Sequence, residues 1–226
     1  MADQRADAPA GGLGARTIAA LVMAPPVLLA VHYGSPLFES MVVLGGLVLI
    51  WEWRGICQGD AGWMMVGLVV VMASCAALVW LRLDPAYGRE TMFWMMAAIW
   101  ATDIGAYAAG RTIGGPKLAP AISPKKTWAG LAGGVACAAC VGAGAATLLG
   151  KASAIPLATI SAGLAVIGQV GDLLESSLKR RFGVKDASRL IPGHGGLLDR
   201  VDGLLAAALI IAMGHWLSGR GVLEWL

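Results

Sequence analysis

Seven apolar stretches, at about 17–33, 40–57, 61–81, 91–110, 128–149, 153–174 and 203–218, follow one another along the chain with short polar segments between them. Each is close to the roughly 20 residues with which a helix crosses the hydrocarbon of a bilayer. The pattern predicts an all-α, polytopic integral membrane protein with about seven transmembrane helices. Composition agrees: 58% of the residues are hydrophobic and 14% charged, against roughly a quarter charged in soluble domains. A chain of 226 residues has no room for a large water-soluble domain beside such spans. It divides into N-terminal transmembrane helices, 1–90, and a second transmembrane region, 91–226, which holds two polar loops at 111–127 and 175–202.

Lys and Arg set the expected orientation, because cytoplasmic loops carry the excess. With the N-terminus in the cytoplasm, Arg82, Arg89, Lys151 and Arg220 alone among the 17 basic residues fall on the far side. Both polar loops then face the cytoplasm together. The first apolar stretch lacks a clearly basic start, since Asp3 and Asp7 offset Arg5 and Arg16, so it is expected to be retained as a span. Cys137-Ala-Ala-Cys140 has redox or zinc spacing but lies inside a span, where buried small hydrophobes are the plainer reading. Tryptophans near the span ends, Trp51, Trp53, Trp128, Trp216 and Trp225, fit interfacial belts. The Gly- and Ala-rich fifth span suits close helix packing.

The chemistry should be sought where polar side chains crowd together. Asp172 and Glu175 stand three apart near the end of the sixth span, and Asp199 and Asp202 stand three apart where the seventh begins. Residues three apart share a helix face, so two such pairs converging would offer a divalent cation the oxygen ligands that Mg²⁺ prefers. A bland reading also exists for Asp199 and Asp202, as favourable charges at a helix N-terminus. Gly193-His194-Gly195-Gly196 is a glycine-rich turn ahead of a helix, where free amides and the helix dipole attract phosphate. Lys179, Arg180, Lys185, Arg189 and Arg200 add positive charge for several phosphates. In the fourth span Asp103 and Tyr107 stand four apart on one face, and an ionisable group at that depth marks a functional site or a structural ion pair. Ser123-Pro-Lys125-Lys126-Thr127 opens the fifth span: Ser123 and Thr127 can cap it, and the lysines can meet phosphates or anchor the interface.

These residues closely resemble the phosphatidate cytidylyltransferase, or CDP-diacylglycerol synthase, family. The signature runs from Ser177 through Lys179-Arg180, Lys185-Asp186 and Pro192 to His194-Gly195-Gly196, Asp199-Arg200 and Asp202. The likeness extends upstream through Gly171-Asp172, Ser123 to Trp128, and Asp103 with Tyr107, whereas the N-terminal third resembles the family only in being apolar. The resemblance implies that 91–226 is the catalytic region and that CTP and phosphatidic acid give CDP-diacylglycerol and pyrophosphate, with Mg²⁺, at the cytoplasmic face of a bacterial inner membrane. It implies catalytic roles for Asp172, Asp199, Asp202, Lys185 and Asp186, with metal contacts from Asp172, Asp199 and Asp202. Substrate contacts are expected from Ser123, Lys125, Lys126, Thr127, Ser177, Lys179, Arg180, His194, Gly195, Gly196 and Arg200. Asp103, Tyr107 and Glu175 are expected to support that set from behind. Membrane lipid is the surrounding partner and no nucleic acid is expected, while a helping monovalent cation and a homodimer are left open. Two other readings stand beside this one: a CTP-dependent polyprenol or phytol kinase, which would release CDP, and a transporter with Asp103 and Asp172 in its pathway.

Overall fold

The computed structural model of the chain describes residues 13–188, 190–191 and 195–225, with side chains from Val22 onward. It is a bundle of seven α-helices among the described residues: α1 (Leu13–Tyr33), α2 (Leu37–Cys57), α3 (Ala61–Arg82), α4 (Gly88–Thr112), α5 (Trp128–Leu148), α6 (Ile155–Arg181) and α7 (Leu198–Ser218). Five of them, α2, α3, α5, α6 and α7, are long and apolar enough to cross a membrane. The helix α4 carries Asp103 along its length and Arg89, Glu90 and Arg111 near its ends, and is not among those five. The protein is a polytopic membrane protein.

The structure departs from the sequence reading in two places. Between α4 and α5 the expected loop 111–127 forms a short antiparallel hairpin, β1 (Lys117–Ala119) with β2 (Ser123–Thr127), in a fold that is otherwise helical as expected. The helix α6 continues seven residues past the expected end of its span, to Arg181. Its last turns are polar and still helical, and the segment expected as the loop 175–202 is reduced to the stretch between Arg181 and Leu198.

Small residues set the distances between helices. Along α5 the buried positions Gly130, Gly134, Ala138, Gly142 and Ala146 recur every fourth residue, a stripe on which α4 and α6 pack closely. A Cβ on Gly134 would lie 2.8 Å from the Thr102 carbonyl of α4, and one on Gly142 would collide with the Leu157 carbonyl of α6. A buried hydrogen bond from Trp94 Nε1 to Ser161 Oγ, 2.9 Å, joins α4 directly to α6. The helices α6 and α7 approach at Gly168, Gly171 and Gly203: a Cβ on Gly171 would sit 2.9 Å from Ala206 Cβ and 3.3 Å from the Asp202 carbonyl. That approach brings the acidic turns of α6 and α7 together.

Three contacts tie the polar segments to one end of the bundle. Lys126 of β2 pairs with Asp172 of α6, Gln58 after α2 donates to the Phe182 carbonyl after α6, and Glu52 of α2 accepts from the amides that begin α7. The hairpin is thus joined to α6, and the α6–α7 connection to α2.

Candidate active site

At that end a cavity of about 600 Å³ opens between α1, α4, α6 and α7. Its lining is mixed: Asp103, Asp172, Glu175, Lys179, Asp199 and Asp202 share it with Met23, Val27, Met96, Ile99, Trp100 and Leu204.

The helical period of α6 places Asp172, Glu175 and Lys179 on one face, at spacings of three and four. Asp202 meets them from α7, and one carboxylate oxygen each of Asp172, Glu175 and Asp202 lie within 4.8 Å of one another. Negative charge gathered this closely in a half-buried place repels itself unless cations offset it. Two lysines do so in part. The Lys126 ammonium lies 2.5 Å from Asp172 Oδ2, and Lys179 lies 3.0 Å from Glu175 Oε2 and 2.5 Å from Asp199 Oδ1. Glu175 Oε1 is buried and has no hydrogen-bond partner among the described residues. An orphaned carboxylate oxygen beside two other carboxylates fits a hard divalent cation, which takes oxygen ligands of this kind.

The expected metal set was Asp172, Asp199 and Asp202, with Glu175 behind them. The geometry groups them differently: Glu175 joins Asp172 and Asp202, and Asp199 turns toward other donors. Besides Lys179, Asp199 Oδ2 accepts the amides of Gly196 at 2.7 Å and Ala187 at 3.1 Å. The physical reason is the extension of α6, which carries Lys179 inward beside the start of α7.

The glycine-rich turn also differs from expectation. Its described amides are already taken, Gly195 N by the Ile191 carbonyl, Gly196 N by Asp199, and Leu197 N and Leu198 N by Glu52. Gly195 and Gly196 therefore make room for two of the protein's own carboxylates. A Cβ on either would stand 2.7 Å from an oxygen, of Asp199 at Gly195 and of Glu52 at Gly196, and Gly195 also has φ +85°. His194, with Arg189, Pro192 and Gly193, lies outside the described residues.

The remaining expected residues fall into two groups. Asp103 and Arg200 line the cavity. Ser177 and Arg180 lie on the exposed side of α6, with Arg180 donating to the Val184 carbonyl. Lys125, Lys185 and Asp186 are also exposed, and Ser123 is half-buried in the hairpin. None of these six residues lines the cavity. Thr127 caps α5, its Oγ1 accepting from Gly130 N at 3.0 Å, and Tyr107 accepts from Arg111 at 3.0 Å and is exposed. Sequence reasoning missed Glu52. It shares α2 with Glu39 and Arg54 and belongs to no spaced pair of acids, and only its near-complete burial with three donors reveals it.

A membrane bundle that gathers carboxylates, with lysines paired to them, around a cavity of mixed lining defines a class, and sequence comparison names it. The cytidylyltransferase family matches residues 57–217, and the chain belongs to that family. It is 42% identical over 186 residues to the phosphatidate cytidylyltransferase of Brucella suis biovar 1 (strain 1330), covering 82% of this chain and 67% of the relative. It is 34% identical over 207 residues to the phosphatidate cytidylyltransferase of Rickettsia bellii (strain RML369-C), covering 87% of each. The protein of that name from Rickettsia felis (strain ATCC VR-1525 / URRWXCal2) is 34% identical over 203 residues, covering 87% of this chain and 89% of the relative.

Proposed function

We propose that this chain is a phosphatidate cytidylyltransferase, transferring CMP from CTP to phosphatidic acid to give CDP-diacylglycerol and pyrophosphate. The observation that carries the reading is the mixed lining of the cavity, which sets Asp172, Glu175, Lys179 and Asp202 in one space with apolar side chains of α1 and α4, with Lys126 paired to Asp172 from the hairpin. One substrate is a phosphate on two acyl chains, and the other is a soluble triphosphate. They share only their anionic groups, which meet at the polar end.

In the reaction an oxygen of the phosphatidate phosphate bonds to the α-phosphorus of CTP. The bond from that phosphorus to the oxygen bridging to the β-phosphate breaks, and pyrophosphate leaves with the electron pair. The attacking monoester is ionised near neutral pH, so no strong base is needed. The work left to the protein is to hold two anions in line and offset their repulsion. Lys126, Lys179 and Arg200 supply positive charge at the polar end. Asp172, Glu175 and Asp202 would hold Mg²⁺, which when bound neutralises phosphate charge and helps orient the triphosphate. Phosphates approaching Lys179 compete with Asp199 and Glu175 for its ammonium, so substrate binding draws on a charge that is paired within the protein. The exposed Lys125, Arg180 and Lys185 attract the nucleotide before it docks, and the apolar wall receives an acyl chain. The polar end faces the cytoplasm in this reading, which the distribution of Lys and Arg supports.

The decisive assay gives purified protein CTP, phosphatidic acid and Mg²⁺ and follows both products. CDP-diacylglycerol and pyrophosphate in equal amounts are expected. Release of CDP, with phosphate transferred to a lipid alcohol supplied in place of phosphatidate, would make it a lipid kinase instead. For orientation, a single cysteine at the exposed Ala121 should resist an impermeant thiol reagent until the cell membrane is opened, and labelling in sealed cells would reverse the arrangement.

A further inference from the structure

Glu52 lies on α2, before the family match begins at residue 57. It is 1% exposed. A carboxylate sealed into a membrane helix is costly unless its oxygens are occupied, and here both are. Oε1 accepts from Ser188 Oγ at 2.6 Å and Leu197 N at 2.8 Å, and Oε2 accepts from Leu198 N at 2.7 Å. The helix α7 starts at Leu198 with no capping side chain of its own. Its first amides need acceptors, and an anion is favoured there by the helix dipole. Glu52 supplies the cap from another helix, 146 residues away in sequence. Gly196 leaves the space for it, because a Cβ at that position would lie 2.7 Å from Glu52 Oε1 and 2.9 Å from Ala187 Cβ.

The first turn and a half of α7 carries Asp199, Arg200 and Asp202, all of which line the cavity. We propose that Glu52 is a positioning residue for this reaction: by pinning the start of α7 and Ser188 to α2, it fixes where Asp199, Arg200 and Asp202 stand relative to Asp172 and Glu175. It touches neither substrate nor cation and acts through the helix it caps. The inference rests on the proposed reaction for its catalytic readout and on the acidic cluster for its second one.

The test uses the full-length protein in detergent and compares wild type with Glu52→Gln, which keeps the length of the side chain and removes its charge. The expected result is a fall in kcat of about tenfold or more, with KM for CTP and for phosphatidate each changed less than about threefold, since positioning is lost while the binding groups remain. Mn²⁺ affinity, followed by electron paramagnetic resonance, should weaken about tenfold, as when the support of a metal ligand is lost. Both quantities are taken per folded molecule, so a merely structural cap would lower the thermal midpoint and leave them unchanged. If Glu52→Gln does not fold, Ser188→Ala removes a single donor: it should lower the thermal midpoint only in part and, per folded molecule, lower kcat by about threefold. A kcat and Mn²⁺ affinity within twofold of wild type in the folded variant would overturn the proposal. Should wild type yield no CDP-diacylglycerol, the functional reading fails and the role of Glu52 is decided by Mn²⁺ affinity alone.

Discussion

Asp199 and Asp202 stand one turn apart on α7 and live in different surroundings. Asp199 is gripped by Lys179 and by the amides of Ala187 and Gly196. Asp202 faces Asp172 and Glu175 across the gap between α7 and α6. The first carboxylate has its acceptor positions largely filled by the protein, whereas the second stands among other carboxylates. One Asp-x-x-Asp pattern thus serves two ends: Asp199 closes the turn before α7 onto α6, and Asp202 helps build a place for a cation. A difference of one helical turn decides which neighbours a side chain meets, and the donors it meets decide its role.

The contrast can be broken one residue at a time. The largest effect is expected from Asp202→Asn, which removes a charged oxygen ligand: turnover at limiting Mg²⁺ should fall about a hundredfold, with partial recovery at raised Mg²⁺. Normal Mg²⁺ dependence in that variant would remove Asp202 from the cation site. Asp199→Asn should lower turnover less, by about tenfold, and lower the thermal midpoint in detergent as well. The nearly buried Lys179 is then left with Glu175 alone, and buried ion pairs are strongly destabilised when one partner goes. An unchanged midpoint would show that Asp199 is not a latch. The smallest effect belongs to Gly171→Ala, whose added methyl must press on Ala206 and the Asp202 carbonyl. Parting α6 from α7 by a few tenths of an ångström should raise the Mg²⁺ needed for half-maximal rate by about threefold. If the requirement stays at the wild-type value, the close approach of the two helices is not what assembles the acidic cluster.

The sequence carries the acids of the cluster through spacing alone. Asp172, Glu175 and Asp202 are legible because helical periodicity puts residues three apart on one face, and because so few charges occur elsewhere in the chain. The division of labour between Asp199 and Glu175 is not legible, since it depends on how far α6 continues. Once α6 reaches Arg181, Lys179 points inward and Arg180 outward, though they are neighbours in the motif. The glycines of the α6–α7 turn carry a similar ambiguity. Read locally, they leave amides free for phosphate. In the fold, Asp199 takes the Gly196 amide and Glu52 the amides of Leu197 and Leu198, in space left by the absent side chains of Gly195 and Gly196. Glu52 has no local signal at all, because the groups it satisfies are more than a hundred residues away. The hairpin of Lys117–Ala119 and Ser123–Thr127 is too short for alternation to show.

Direct measurement of cation binding tests the central claim, that Asp172, Glu175 and Asp202 form the cation site while Asp199 serves as a latch. Mn²⁺ titrated into detergent-purified wild type, Asp202→Asn and Asp199→Asn can be followed by electron paramagnetic resonance without substrate or turnover. Asp202→Asn should weaken binding at least about tenfold, and Asp199→Asn, compared at equal folded concentration, should stay within about threefold of wild type. Equal losses in the two variants, or a greater loss in Asp199→Asn, would contradict the claim.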